Sequence, residues 1–406
     1  MHKTNKMELL NINKTIPQQE VYADDELEQH LRSNYDFYFN VVNGRLFWRI
    51  ANYGQYTEMA DYDFNTILRN LKMQAIPCTK IQLIQILKST FTLKVDPFIE
   101  YINTLPNWDG ETDFIDEWAE TIKATNQDLW KKCFKKWIVA VCASLIDPKI
   151  VNHVAPIFCG AQGLGKTRWI STMVPKSLRE YFFSGNINMS NKDSITQIAE
   201  CLLIDMDELE NLGKKNIGDL KSLMTRETIR IRRPYGSVFE IMPRRASFIG
   251  SINHKEFLKD ETGSRRFLCF EVTEIDYNHK LSTENLFSQA LALFNSGFQF
   301  WFDQVEIKEI QESNTQFNKS YMEEEILMNH FALCTVENAT HFYSSTKIAQ
   351  VLKAREKLPV THTSVQHIGK ALAANKFIRL KKSGCYVWAV LDKRKNLKVV
   401  NDATDI

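Results

Sequence analysis

Apolar residues change their spacing several times along the chain, and each change marks an element. Tyr38 to Ile50 alternates apolar and polar positions on either side of Asn43-Gly44, a pairing that predicts a hairpin with a tight turn. Tyr62 to Leu93 carries apolar residues at helical spacing, broken near Pro77. With a poorly ordered and then helical start over residues 1–30, this gives a small α+β unit at 1–95. Residues 96–150 read as a helical lead-in: Pro97 can start a helix, Pro106 to Gly110 form a turn, and Gln127 to Leu145 is amphipathic and then apolar.

From residue 151 onward strand and helix signals alternate. Val154 to Cys159, Leu202 to Met206, Ala246 to Ile252 and Phe267 to Val272 are short apolar strands, and the segments between them predict an α/β sheet with parallel character. Residues 276–335 are mostly helical and close this core, 151–335. A separate unit at 340–392 reads helix (Ser345 to Arg355), turn at Pro359, helix (Ser364 to Asn375), then two strands around Lys382-Ser383-Gly384. That is the order of a winged helix-turn-helix, with residues 393–406 as a tail.

Composition narrows the class. The chain has 406 residues, 44% hydrophobic and 25% charged, as in globular proteins. A net charge of +2 means that nucleic-acid binding needs a local basic patch. The eight cysteines form no Cys-x-x-Cys pair or zinc-type cluster, which fits reduced thiols in a cytoplasmic protein. The longest apolar run, Trp137 to Ile146, falls short of the roughly 20 residues a membrane span requires, so no membrane partner is expected.

Gly160-Ala161-Gln162-Gly163-Leu164-Gly165-Lys166-Thr167 matches G-x-x-x-x-G-K-[ST] between a strand and a helix. Glycines let backbone N–H groups wrap a triphosphate, Lys166 reaches the β- and γ-phosphates, Thr167 binds Mg²⁺, and Arg168 follows at the rim. ATP and Mg²⁺ are the expected cofactors. The second acidic strand, Leu202 to Glu208, offers Asp205 for the metal and Glu208 as the base that polarises water, with Asp207 able to replace either. A solvated acidic turn is the plainer alternative.

Between Lys214 and Arg245 the charge balance shifts. Lys214, Lys215, Lys221, Arg226, Arg230, Arg232, Arg233, Arg244 and Arg245 face only Asp219, Glu227 and Glu240. Thr228 to Arg232 and Val238 to Met242 flank a turn at Pro234-Tyr235-Gly236-Ser237, so arginine and tyrosine sit at a hairpin tip suited to gripping phosphate and stacking on a base. An exposed hairpin facing water or a neighbouring subunit is the alternative. Asn253, at the end of ASFIGSIN, could orient the attacking water, with a turn former as the plainer alternative. Arg265 and Arg266, after a glycine turn, suit a finger reaching the γ-phosphate of the next subunit, worth about 10³–10⁵-fold in rate, with a surface ion pair as the alternative.

In this order GAQGLGKT, LLIDMDE, GSIN and DETGSRRF resemble the virulence-associated E family, P-loop proteins related to superfamily 3 helicases of the AAA+ class. FNVVNGRLFWR and LPNWDG resemble its lead-in, and the likeness covers roughly residues 35–305. It implies a ring, usually a hexamer, with ATP between subunits and hairpins lining a central channel. Lys166 and Thr167 then hold nucleotide, Asp205 and Glu208 serve metal and water, Asn253 is the sensor, and Arg265 or Arg266 is the finger. Arg233 and Tyr235 then occupy the hairpin tip and, with Arg232, are the expected DNA contacts. Apart from the resemblance, the pattern of the terminal unit makes Ser364 to Asn375 a recognition helix with Lys370 available for DNA, the alternative being a module that serves only protein contacts. Two departures stand out: Met206 separates Asp205 from Asp207 where relatives commonly have adjacent acids, and Pro234-Tyr235 replaces lysine or histidine at the tip.

These readings point to an ATP-dependent DNA translocase or helicase in the replication of a mobile element, phage or plasmid. Single-stranded or forked DNA and a primase on a separate chain are the expected partners. An ATP-gated initiator or regulator that binds DNA without unwinding it is the second reading, and a small-molecule kinase the third.

Overall fold

The computed structural model describes residues 26–185, 192–207, 209, 214–233, 238–253, 264–317, 322–356, 361–382 and 384–394. The chain forms two compact units, residues 1–317 and 318–406.

Helix α1 (Glu26–Asn34) leads into strands β1 (Tyr35–Asn40) and β2 (Leu46–Ile50), the expected hairpin. Its turn is fixed twice over. The Asn40 side-chain oxygen accepts from the amides of Val42 and Asn43, and Gly44 takes φ +71°, where a side chain would be strained. Strand β3 (Tyr53–Glu58) extends the sheet, although all six of its residues are exposed and it has no apolar alternation to announce it. Helices α2 (Asp61–Met73) and α3 (Lys80–Leu87) bury Ile67, Leu71, Leu83 and Leu87 with Tyr35 and Leu46. Strand β4 (Leu93–Val95) then pairs parallel to β1.

The lead-in holds α4 (Pro97–Thr104), started by Pro97 and capped by Asp96, then α5 (Phe114–Glu120), β5 (Ile122–Ala124) and α6 (Gln127–Ile146). It is not purely helical, since β5 joins the central sheet as an antiparallel edge. Nor is it separate from the core. Trp130 of α6 packs edge-on to Phe158 and Phe270, with ring centres 5.3 and 5.2 Å away, and donates its indole N–H to the Ala119 carbonyl.

The central sheet contains β5, then β6 (Ala155–Cys159), β7 (Phe182–Ser184), β8 (Leu203–Met206), β11 (Ser247–Ile252) and β12 (Phe267–Ile275), in the order β5-β12-β6-β11-β8-β7. Apart from β5, neighbouring strands are parallel. Alternating side chains fill both faces. Phe158, Leu203, Ile249 and Phe270 pack with α6 and α7 (Lys166–Thr172), while Ile157, Ile204 and Phe248 pack with α8 (Lys192–Glu200) and α9 (Lys214–Met224). A separate two-stranded hairpin, β9 (Thr228–Ile231) with β10 (Glu240–Pro243), rises between α9 and β11. Helices α10 (Thr283–Asn295) and α11 (Gln304–Asn314) complete the unit.

The C-terminal unit is larger than the pattern suggested. It takes in α12 (Met322–His330) and β13 (Phe331–Ala332), which the sequence reading left with the preceding core. Leu327 and Phe331 share one core with Ile348, Leu352, Leu372 and Trp388. Strand β14 (His341–Tyr343), α13 (Ser345–Glu356), α14 (His362–Ala374), β15 (Arg379–Lys382) and β16 (Cys385–Asp392) follow, with β16 pairing to β13, β14 and β15.

Arg244 sits just before β11 and is fully enclosed. Its guanidinium donates to the carbonyls of Arg226, Ala246, Asn152 and Met224, and burial lowers its pKa to about 9. This one side chain ties the base of the hairpin to the strand end before β6. Arg244→Ala should lower stability by about 3–5 kcal/mol in urea unfolding, because several buried carbonyls lose their donor together.

Candidate functional site

Parallel pairing brings three strand ends level. Cys159 lies beside Ile252, and Gly250 beside Met206, so β6, β11 and β8 deliver their following residues to one edge of the sheet. Open α/β sheets bind ligands at this carboxyl edge.

The loop after β6 folds as its glycines require. A methyl on Gly160 would lie 2.6 Å from the Val272 carbonyl oxygen, and Gly163 and Gly165 take φ of +88° and +85°. Lys166 opens α7 with its side chain mostly buried and folded back over the loop. Its ammonium donates to the carbonyls of Gly160 at 2.6 Å and Ala161 at 3.1 Å, and to the Asn253 side-chain oxygen at 3.1 Å. Two residues predicted from distant motifs therefore touch. Ala161, Gln162, Gly163, Thr167 and Arg168 face solvent, and Leu164 and Gly165 are half-buried.

The two acids part company. Asp205 is completely buried: one oxygen accepts from the Ser184 hydroxyl at 3.0 Å, the other meets no donor, and burial pushes its pKa up to about 7. The expectation that Asp205 faces the metal position is therefore corrected, because it lies inside β8 and water does not reach it. Asp207, just past the strand end, accepts from the Ser251 hydroxyl at 3.2 Å and is partly exposed. Glu208 lies outside the described residues. Among the described residues no group of three His, Cys, Asp or Glu side chains could hold a metal ion. One hydroxyl and one carboxylate still suit Mg²⁺, which keeps several waters and takes phosphate oxygens as ligands.

Arg265 and Arg266 precede β12, whose first residue is level with Ala155 at the opposite edge of the sheet. The loop after Cys159 lies roughly 17 Å away at about 3.3 Å per residue, so the pair is remote from its own chain's glycine loop. Arg265 is exposed. Arg266 is half-buried, and burial together with repulsion from Arg265 lowers its pKa.

The basic hairpin is less free than its charge implied. Arg233 is turned inward, donating to Glu200 at 2.8 Å, to Glu240 at 3.0 Å and to the Val42 carbonyl at 2.9 Å, and it lies against Gly44. The expectation of Arg233 at an exposed tip is corrected on that ground: its donors are divided between two carboxylates and the carbonyls of the N-terminal turn. Burial raises the pKa of Glu200 while Arg233 opposes the shift. Arg245 pairs with Asp96 at 2.5 Å, and Lys221 is buried. Tyr235 lies outside the described residues. The outward face of the hairpin carries Arg232 and Arg230, the latter stacked 4.6 Å from the Phe239 ring centre, with exposed Ile241 opposite Arg230. Sequence reasoning did not single out Phe239, though its place across from the arginine-bearing strand was available. In the C-terminal unit, Lys370 shares an exposed stripe of α14 with His362 and Gln366.

The glycine loop, the strand-end asparagine and the following acid define an α/β protein with a site at the carboxyl edge of a parallel sheet. The sequence matches the virulence-associated protein E-like domain over residues 102–319, more than half of the chain, and the chain belongs to that family. No curated protein matches it. Among solved structures it is similar to the apo structure of the NrS-1 C-terminal region (305–718), at 13% identity and a TM-score of 0.45, covering 90% of this chain and 98% of that one. The A form of the same region matches at 15% identity and a TM-score of 0.44, again over 90% and 98% of the two chains. No described helix is long and apolar enough to cross a membrane.

Removing the Arg233 clasp should loosen the N-terminal turn. In Arg233→Ala the amides of Asn40 and Gly44, which bond to Arg45 and Asn40 carbonyls, should exchange hydrogen at least about tenfold faster, reflecting a loss of about 1.4 kcal/mol or more in local stability. Unchanged protection at these amides would show that the clasp does not hold the turn.

Proposed function

We propose that this protein is a ring-forming P-loop ATPase of the AAA+ type that drives DNA through its centre during replication. The observation that carries this reading is the contact of Lys166 with Asn253 at aligned strand ends, with Asp207 just past the end of the next strand. The order β12-β6-β11-β8-β7 supports the AAA+ assignment: the glycine loop follows a central strand, Asn253 follows its neighbour and Asp207 follows the strand beyond.

In the working site Lys166 leaves its loop carbonyls for the β- and γ-phosphates, and Asn253 is left to orient water. Thr167 and Asp207 would hold Mg²⁺, which would supply positive charge to offset that of the phosphates during transfer of the γ-phosphoryl group to water. Glu208 accepts the water proton. This makes Asp207-Glu208 the adjacent acids and relieves Asp205 of the metal role. Arg265 and Arg266, remote from their own loop, serve the nucleotide of the neighbouring subunit, which makes an oligomer, a hexamer in this reading, part of the active site. The Arg230–Phe239 face and Arg232 contact single-stranded or forked DNA by charge and stacking. A separate primase acts with it in replication.

A second reading is favoured by the C-terminal unit. Its order of helix, two short strands, two helices and a β hairpin suits a winged helix, and the His362–Gln366–Lys370 stripe suits groove contacts. On that reading the protein is an ATP-gated initiator that binds a site without unwinding. Strand-displacement assays on forked DNA separate the two.

Lys166→Ala should abolish Mg²⁺-dependent ATP hydrolysis. Asp207→Asn should reduce it by about 10²-fold or more, while Asp205→Asn should retain most of it. Steady-state ATPase assays decide, and equal losses at both aspartates would reject the assignment of the metal to Asp207. Mixing an Arg265→Ala/Arg266→Ala variant with inactive Lys166→Ala protein should restore part of the activity, because some interfaces then join an intact loop to an intact arginine pair. Failure of mixing to restore any hydrolysis would count against a site shared between subunits.

A further inference from the structure

The segment after β12 touches the glycine loop but has had no part in the reading above. Tyr277 is half-buried, and its ring lies against the loop backbone: a methyl on Gly165 would be 2.1 Å from a ring carbon. The Arg168 guanidinium lies 4.7 Å from the ring centre. Two residues on, His279 meets the Thr172 hydroxyl at 3.2 Å and sits edge-on to Trp118 with ring centres 4.4 Å apart. Residues 277–279 are thus fastened alongside α7 at both of its ends, and Tyr277 stands beside the residue that precedes Lys166.

An aromatic ring at the rim of a phosphate loop offers what the loop lacks. Backbone amides and Lys166 recognise phosphate and nothing beyond it. A flat, half-exposed ring adds a stacking surface for a base, and a cation parked on such a ring is held by an attraction weaker than a charged bond to phosphate.

We propose that Tyr277 is the base-stacking platform of the nucleotide site and that Arg168 occupies its face until nucleotide arrives. The guanidinium then turns to the phosphates and the base takes its place on the ring. Stacking without a matching pattern of donors and acceptors selects by ring size, so the site takes purine nucleoside triphosphates, ATP and GTP alike, over pyrimidine ones. The inference rests on the nucleotide-binding reading of Gly160 to Thr167.

The test is calorimetric titration of the full chain with the magnesium complexes of ATP, GTP, UTP and tripolyphosphate. Wild-type protein should bind ATP and GTP within a few-fold of each other and UTP more weakly. Tyr277→Leu, which keeps apolar bulk against Gly165, should weaken ATP and GTP about tenfold and leave tripolyphosphate unchanged. Tyr277→Phe should bind like wild type. The proposal is overturned if Tyr277→Leu binds ATP normally, or if it loses ATP and tripolyphosphate in equal proportion, which would make the ring only a prop for the loop. Wild-type protein that binds neither ATP nor tripolyphosphate would overturn the nucleotide reading itself.

Discussion

The candidate site depends on strand register. Parallel hydrogen bonding places Cys159 beside Ile252 and Gly250 beside Met206, and no side chain at the site could meet its partners without it. A shift of one residue would flip every side chain to the other face of the sheet, and both faces are filled. Burial on two sides therefore fixes the register, and the register delivers Lys166 to Asn253. The aromatic cluster of Trp130, Phe158, Trp169 and Phe270 belongs to the same constraint, for it seats α6 and α7 on one face of that sheet.

Charge in this chain is divided between structure and surface. Arg233, Arg244 and Arg245 lie close together in sequence, and all three are consumed inside the protein by carbonyls and carboxylates. What remains outward on the hairpin is narrower: Arg230 and Arg232 with Phe239 and Ile241. The consumed arginines still bear on function. Arg233 joins the hairpin to the turn at Val42 and Gly44, and Arg245 joins the next strand to Asp96. The turn at Val42 and Gly44 thereby braces the tip-ward end of β9 and Asp96 braces the foot of the hairpin, the element proposed to grip DNA.

Much of this was legible in the sequence because the signals were local. The glycine loop, the Asn43-Gly44 turn and the Pro97 helix start each rest on a few adjacent residues, and each formed where expected. The misreadings came where an outcome depended on distant neighbours. Asp205 and Asp207 look alike in LLIDMDE, and only the pairing of β8 between β7 and β11 shows that the first is enclosed beside Ser184. Arg233 looks like a tip residue until Glu200 and the Val42 carbonyl, far away in the chain, come into contact with it. Strand β3 gave no signal because an exposed edge has no buried face to impose alternation. The start of the C-terminal unit was misplaced because Leu327 and Phe331 read equally well as the end of a core helix or the beginning of another core.

Strand β12 relates the two halves of the proposed mechanism. Arg265 and Arg266 stand at its beginning and Tyr277 just beyond its end; between them Phe267 to Glu271 pair with β6, and Val272, Glu274 and Ile275 pair with β5 across an irregularity between Val272 and Glu274. In the proposed ring the beginning of this strand would meet a neighbour's nucleotide, while its end lies against the chain's own glycine loop. A strand held by such pairing resists stretching outside that irregularity, so a displacement at one end would be carried towards the other or to the whole sheet. Loss of a γ-phosphate next door would release the arginine pair and be felt at Gly165 and Lys166. On this argument the order of firing around the proposed ring would follow from the stiffness of one strand, with no hinge needed between the two sites.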